Sequence, residues 1–290
     1  MALAPDTRDG HHSYMLRVAT LNIWNRMEPW EERSRLIRSE LSHLDPDLLG
    51  LQEVLRLEAP EGSQDQAEQL AAGTGYHQAY GSAKELGPGL HFGNALLSRW
   101  PILKQRVHEL PQLGNTDEQR SVLHAVVESP FGNLPVFVTH LNWKLHEGAT
   151  RVRQVLFLAD LIAREAPVDD VDFPPILMGD MNAEPDSDEI RFLQGLATLE
   201  GRSVFFADCW RWAGDGGAGA TFDRRNPYAA LVHEPPRRID YIFVRGPDRR
   251  YRGEPTSCRL VFCTPQDGVW PSDHFGVLAE LETEPSPPGA

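Results

Sequence analysis

The chain has 290 residues, 41% hydrophobic and 24% charged, enough apolar material for one large core or two modest ones. Acidic side chains outnumber basic ones 42 to 28, and the formal net charge of −14 disfavours bulk attraction to nucleic acid or an anionic membrane. No run approaches the ~18 apolar residues of a membrane span, and three cysteines, Cys209, Cys258 and Cys263, with no CxxC spacing, argue against a disulfide framework or a zinc knuckle.

Residues 1–14 are polar and mixed in charge, without the apolar centre of a secretory signal. They are read as a flexible segment, and the protein as cytoplasmic. Met15–Ile23 reads as a strand. Glu31–Leu44 repeats Leu36, Ile37, Leu41 and Leu44 at helical spacing, and Asp45-Pro46 stops it. Asp47–Gln52 is a short buried strand, and Ser63–Ala72 a helix broken by Gly73 and Gly75. Ala95–Ser98, Val122–Glu128 and Pro135–His140 are strands. A helix runs from Arg151 to about Glu165, with Thr150 as its cap and Val152, Val155, Leu156, Ala159 and Ile162 facing inward. Pro175–Met178 is a buried strand, Ser187–Leu196 a helix, and Gly214–Gly219 a glycine-rich loop. Strands follow at Ile239–Val244, Cys258–Phe262 and Phe275–Leu281, and residues 283–290 form a proline-rich, flexible tail. One α/β domain over residues 15–282, rich in strands with few peripheral helices, accounts for this order.

The polar residues of interest sit where apolar strands leave the core. Asn22 follows VATL, Glu53 follows LLGLQ, His140 follows VFVT and Asp180 follows ILMG; Asp240 precedes YIFV, and Asp273-His274 precedes FGVL. A carboxylate directly after a buried strand, such as Glu53, needs water, a partner or a metal. Asp180 and Asn182 share a face if the chain stays extended, and such a pair orients water and holds a phosphoryl oxygen, or opens an Asx-turn ahead of Ser187. Adjacent side chains on a strand point opposite ways, so Asp240 rather than Asp273 is the natural carboxylate to steady His274 as a base.

Seven segments, LNIWN (21–25), LQEV (51–54), GNALLSRWPI (93–102), VTHLN (138–142), MGDMNAEP (178–185), RIDYIFV (238–244) and PSDHFGV (271–277), occur in this order. Together they resemble the endonuclease/exonuclease/phosphatase superfamily, over nearly the whole chain from about Leu16 to Leu281. The resemblance implies an α/β (α+β) fold: a four-layer αβ/βα sandwich of two packed mixed β-sheets flanked by helices, with the site at one edge of the sheets. It implies Mg²⁺, or Mn²⁺ or Ca²⁺ in its place, with Glu53 as principal ligand, Asn22 near the metal and Asp273 as a further ligand. It gives His140 a bond to a phosphoryl oxygen, makes Asp180 the residue that positions or deprotonates water, and lets Asn182 stabilise the phosphoryl group. Asp240 pairs with His274, and the general base is Asp180 or His274. Trp24 stands where abasic-site endonucleases of this superfamily carry an acid, so it is either a wall of the substrate cleft or a core residue.

The chemistry agrees with these roles. A phosphoester anion repels hydroxide, and a hard cation on one or two carboxylates offsets that repulsion. The expected activity is a divalent-metal-dependent phosphodiesterase acting on a soluble or headgroup-type phosphoester. A DNA or RNA nuclease is the alternative, set back by the net charge. A catalytically silent binding module is the alternative of another class, and the retention of Glu53, Asp180, Asn182, Asp240 and His274 argues against it. Arg225 and Arg237, in the stretch leading to Asp240, are candidate substrate-binding cations. The aromatic-rich stretch Cys209–Arg238 forms a substrate-facing loop or a satellite core. No obligate protein partner is implied.

Overall fold

In the computed structural model, which describes residues 14–60, 62–114, 118–169, 171–246 and 248–284, thirteen strands and five α-helices follow one another along the chain. The first half holds β1 (Met15–Asn22), α1 (Trp30–Leu44), β2 (Leu48–Ala59), β3 (Gly62–Asp65), α2 (Gln66–Ala71), β4 (His77–Gly87), β5 (Leu90–Ser98), β6 (Ile102–Glu109), β7 (Ser121–Ser129) and β8 (Gly132–His140). The second holds α3 (Gly148–Glu165), β9 (Ile176–Asp180), α4 (Asp188–Leu193), β10 (Ala207–Asp208), α5 (Cys209–Ala213), β11 (Asp240–Val244), β12 (Pro255–Val261) and β13 (Gly276–Glu282).

Strands with two apolar faces need cover on both sides, and this requirement builds the layers. In β1, Leu16 and Val18 face one way while Ala19 and Leu21 face the other, all fully buried. In β8 and β9, Val136, Val138, Ile176 and Met178 share a face opposite Phe137 and Leu177. The first sheet runs β12-β13-β1-β2-β5-β4, with β3 paired to β2, and the second runs β10-β11-β9-β8-β7-β6. Val18, Leu48 and Val277 of the first meet Val136, Met178 and Ile242 of the second in the central core. Ile37 and Leu41 of α1 cover the outside of the first sheet, and Val155, Leu158 and Ile162 of α3 cover the outside of the second. Burying each such side chain contributes about 1.5–3 kcal/mol. The result is the four-layer αβ/βα sandwich with two mixed sheets. Gly50 marks how closely the sheets approach, since a Cβ there would lie 2.6 Å from Met178 Sδ.

Several elements differ from their sequence-based bounds. The stretch expected to be helical from Ser63 divides into β3 and α2, because the Asp65 carboxylate accepts from the amides of Ala67 (2.8 Å) and Glu68 (3.3 Å) and starts the helix there. Thr150 does not cap α3, which already begins at Gly148. The strands β4 and β6 were absent from the pattern. Both are sheet edges, and β6 is exposed along most of its length, so neither shows a buried alternation. β2 runs on past Glu53 rather than ending at Gln52. Tyr14 is tied down: its hydroxyl donates to Asp47 Oδ1 at 2.6 Å, and its carbonyl accepts from Thr283. Residues 1–13 and 285–290, most of the two expected flexible ends, lie outside the described residues. No helix among the described residues is long and apolar enough to cross a membrane.

Candidate active site

The pairing registers bring the polar strand ends to one edge of both sheets. His140 of β8 and Asp240 of β11 each stand opposite Asp180 of β9. Asn22 ends β1 opposite Gln52 of β2, and the next residue is Glu53. Between Leu51 and Val54 the β2–β5 register slips, so Gln52 and Glu53 together face Asn94. This bulge puts Glu53 at φ 59° and turns its carboxylate toward the site. Trp24, Asn25 and Asn182 also have positive φ (54°, 35° and 49°). Glu53 and Asn182, both lining the cleft, thus carry backbone strain of roughly 1 kcal/mol or more each. Gly179, just before Asp180, has φ 138°, and a Cβ on it would lie 2.0 Å from the Thr139 carbonyl oxygen. Only glycine lets β9 pass β8 so closely.

Asp180 is the hub. Its Oδ2 accepts from Asn22 Nδ2 at 3.0 Å, a bond between the two sheets, and its Oδ1 accepts from the Asn182 amide at 2.9 Å. His140 Nε2 lies 3.3 Å from Oδ2, and His274 Nε2 lies 3.9 Å from it. Burial, reinforced by the nearby Asp240 charge, lifts the Asp180 carboxyl to about 7, against the pull of His274 and the two asparagines. On the other side of the ring, His274 Nδ1 meets Asp240 Oδ2 at 2.9 Å. Burial opposes a charge on His274, but Asp240, Asp273 and Asp180 outweigh it and hold the imidazole well above its ordinary value. The opposite holds for His140, which burial, Arg120 and His274 push well below the ordinary range. The surroundings therefore favour a cationic imidazole on one side of a single carboxyl and a neutral one on the other.

Glu53 takes its own partners from the β1–α1 loop: Oε1 accepts from Asn22 Nδ2 (3.3 Å) and Oε2 from Asn25 Nδ2 (2.9 Å). That loop is held by Arg33, fully buried in α1, whose guanidinium donates to the carbonyls of Ile23, Trp24, Asn25, Met27 and Pro271. Trp24 and Trp30 each lie 5.1 Å from the Arg33 guanidinium carbon. Desolvation lowers Arg33 to about 10. Its donors go to carbonyls, and among the described residues no cationic side chain hydrogen-bonds to Glu53 or the neighbouring Asp273. Desolvation, together with the Glu53 charge, raises Asp273 to about 6 even though His274 and Arg33 pull it down.

Two arrangements here have the donor types of a divalent cation site. Ligand atoms of Asp180, Asp240 and His274 lie within 4.8 Å of one another. In that cluster His274 already supplies a positive charge and spends Nδ1 on Asp240. Glu53 and Asp273 offer carboxylate oxygens whose mutual repulsion, with burial, outweighs the pull of His274 and Arg33 on Asp273, and with the Asn22 side chain beside Glu53 they fit a hard cation better.

Of the three residues proposed for substrate contact, Arg237 lines the cleft. It is buried, pairs with Glu234 and lies 5.9 Å from the Phe222 ring. Arg225 does not reach the cleft, since its guanidinium is exposed and pairs with Asp223 at 2.9 Å. Trp24, in the β1–α1 loop, stacks on Tyr228 with ring centres 5.0 Å apart and is not among the residues that line the cleft. The Cys209–Arg238 stretch is part core and part cleft wall. Phe222 and Ala229 form a small core with Ile239, while Val232, Glu234 and Arg237 face the cleft.

The cleft has a volume of about 380 Å³. Its wall includes residues that sequence reading passed over, namely Lys84, Phe92, Glu118, Arg120 and Trp143. Arg120 had a faint signal, a cation set directly before a buried apolar strand; the others had none.

The family model for the endonuclease/exonuclease/phosphatase family matches residues 19–274, and the chain belongs to that family. Among solved structures, D. rerio TDP2 complexed with a single-strand DNA product matches at TM-score 0.72 and 22% identity, over 92% of this chain and 99% of that one. An endonuclease/exonuclease/phosphatase from Bacteroides vulgatus matches at TM-score 0.71 and 20% identity, over 93% and 99%. Another from Beutenbergia cavernae gives 0.68 and 26%, over 92% and 71%. A search of curated proteins returns no significant match.

Proposed function

We propose that this family member is a divalent-cation-dependent phosphodiesterase that hydrolyses a soluble or headgroup-type phosphoester by in-line attack of water. The observation that carries the reading is Asp180 between His274, backed by Asp240, and His140, backed by Arg120, beside the mutually repelling carboxylates of Glu53 and Asp273. Glu53 and Asp273 would hold Mg²⁺, with Mn²⁺ or Ca²⁺ as substitutes, while Asn22, whose Oδ1 accepts from the Trp24 amide and whose Nδ2 donates to Glu53 and Asp180, would steady the carboxylates rather than ligate the cation. When bound, the cation supplies charge neutralisation for the phosphoryl group and the leaving oxygen.

The side chains do the rest. His274 already carries its proton, so it neutralises phosphoryl charge rather than accepting a proton. That leaves Asp180, held near 7, to orient the water and take its proton. Asn182 Nδ2 spends one N–H on the Leu141 carbonyl at 3.1 Å and keeps the other for a phosphoryl oxygen. His140 offers an N–H from the opposite side. Arg237 lends positive charge to the outer cleft. The net charge of −14 supports a compact phosphoester over a long polynucleotide. The reading needs no protein partner.

The test is hydrolysis of bis-p-nitrophenyl phosphate with Mg²⁺, Mn²⁺ or chelator. Metal-dependent turnover is expected, and its absence would favour a silent binding module. Plasmid nicking, compared with cleavage of sphingomyelin and sugar phosphodiesters, then decides the substrate. Preferred nicking at physiological salt would overturn the headgroup assignment in favour of a nuclease.

A further inference from the structure

We propose that Arg120 is a positioning residue that fixes His140 as the neutral imidazole with its proton on Nε2, aimed at Asp180 and the incoming phosphoryl oxygen. The inference rests on the phosphodiesterase reading for its catalytic consequence, though its structural content stands without it. Arg120 Nη1 lies 2.9 Å from His140 Nδ1. A guanidinium only donates, so Nδ1 must present its lone pair. An imidazolium would set an N–H against an N–H at that contact. The single ring proton therefore sits on Nε2, the atom 3.3 Å from Asp180 Oδ2.

Arg120 is itself held from behind. Its Nη2 meets Glu118 Oε1 at 2.5 Å, and Glu118 Oε2 accepts from Trp143 Nε1 at 2.9 Å. The guanidinium carbon lies 6.0 Å from the Phe92 ring, and the residue is only 4% exposed. The chain of contacts Trp143–Glu118–Arg120–His140–Asp180 thus runs from the cleft rim to its hub. Asp240 does the reverse for the second ring: a carboxylate at His274 Nδ1 calls for a proton on that nitrogen. One carboxyl is flanked by two imidazoles, and the partner behind each ring sets its proton inventory. A histidine backed by a cation stays a donor with fixed direction, and its proton cannot move to the far side of the ring.

The experiment is long-range ¹H–¹⁵N correlation of His140 and His274 in the full chain, with kinetics on bis-p-nitrophenyl phosphate. Wild-type His140 is expected as the Nε2–H tautomer. In Arg120→Met the Nδ1–H form should appear, and kcat should fall at least about tenfold with a smaller change in KM. Arg120→Lys, which keeps a donor, should retain the Nε2–H form and recover most of kcat. An unchanged His274 signal in both variants shows that the fold and the opposite ring are intact. If Arg120→Met keeps the wild-type tautomer, or if Arg120→Lys loses as much kcat as Arg120→Met while holding the tautomer, the proposal is overturned. Because the tautomer is read without turnover, a wild-type enzyme lacking phosphodiesterase activity would sink the functional reading and leave this assignment to stand or fall by its spectrum.

Discussion

Replacing Asp180 with asparagine should abolish activity and stabilise the protein in a pH-dependent way. The folded chain holds this carboxyl near 7 against an ordinary value of 3.8. A carboxyl raised on folding favours the protonated form, so ionisation costs nothing well below the ordinary value, a growing amount between the two values, and a constant amount above the folded one. At about 1.4 kcal/mol per unit the full cost is roughly 4 kcal/mol, of which roughly 2–3 kcal/mol develops between about pH 5 and pH 8. The asparagine carries no such cost at any pH. It does lose acceptor capacity toward Asn22 and His140, but the part of that loss that depends on ionisation is already contained in the folded value of about 7, and the remainder is common to both pH values and cancels. For a chain of this size the melting-temperature difference, variant minus wild type, should rise by about 5 °C between pH 5 and pH 8. Differential scanning calorimetry in chelator measures it directly. A difference that stays flat or shrinks as pH rises would show that the Asp180 carboxylate is not strained by its surroundings, and the argument for it as a base poised near neutrality would fail.

Three further outcomes are expected. Glu53→Gln should remove more than about 99% of metal-dependent hydrolysis while leaving the melting temperature in chelator unchanged within a degree or so; a large loss of stability would make Glu53 a structural residue. His274→Ala should lower kcat by about 10²–10⁴ and leave Mg²⁺ affinity intact by titration calorimetry, whereas a lost affinity would move His274 into the metal shell. Arg33→Met should destabilise the fold by about 3 kcal/mol or more in urea titration, because buried carbonyls of the β1–α1 loop and Pro271 lose their donor; a cost below about 1 kcal/mol would mean the loop holds itself.

The strand ends were legible because an apolar run that closes on Asn, Asp or His announces where the core stops and chemistry begins. Asn22, His140, Asp180, Asp240 and His274 all meet at one edge for that reason. What stayed hidden depends on partners rather than on local pattern. The bulge that turns Glu53 inward exists only because Gln52 and Glu53 share one residue, Asn94, across the ladder. Arg33 looks like an ordinary helix-surface charge, yet it is fully buried. Arg120 and Arg225 are both arginines within polar stretches between apolar residues, but one is buried against an imidazole and the other is exposed on Asp223. No residue type or spacing distinguishes such cases, because the deciding contacts come from distant parts of the chain.

The hydrogen bond from Asn22 to Asp180 joins residues 158 positions apart. Asn22, Glu53 and Asp273 belong to one half of the sandwich, and His140, Asp180 and Asp240 to the other, so neither half holds the complete site. Hydrolytic competence is then an all-or-none gauge of how the halves seat on each other. In refolding it should return only with the final docking event, later than any spectroscopic sign of sheet formation. A remote substitution that lets the halves slide by an ångström should silence the enzyme while the chain still looks folded.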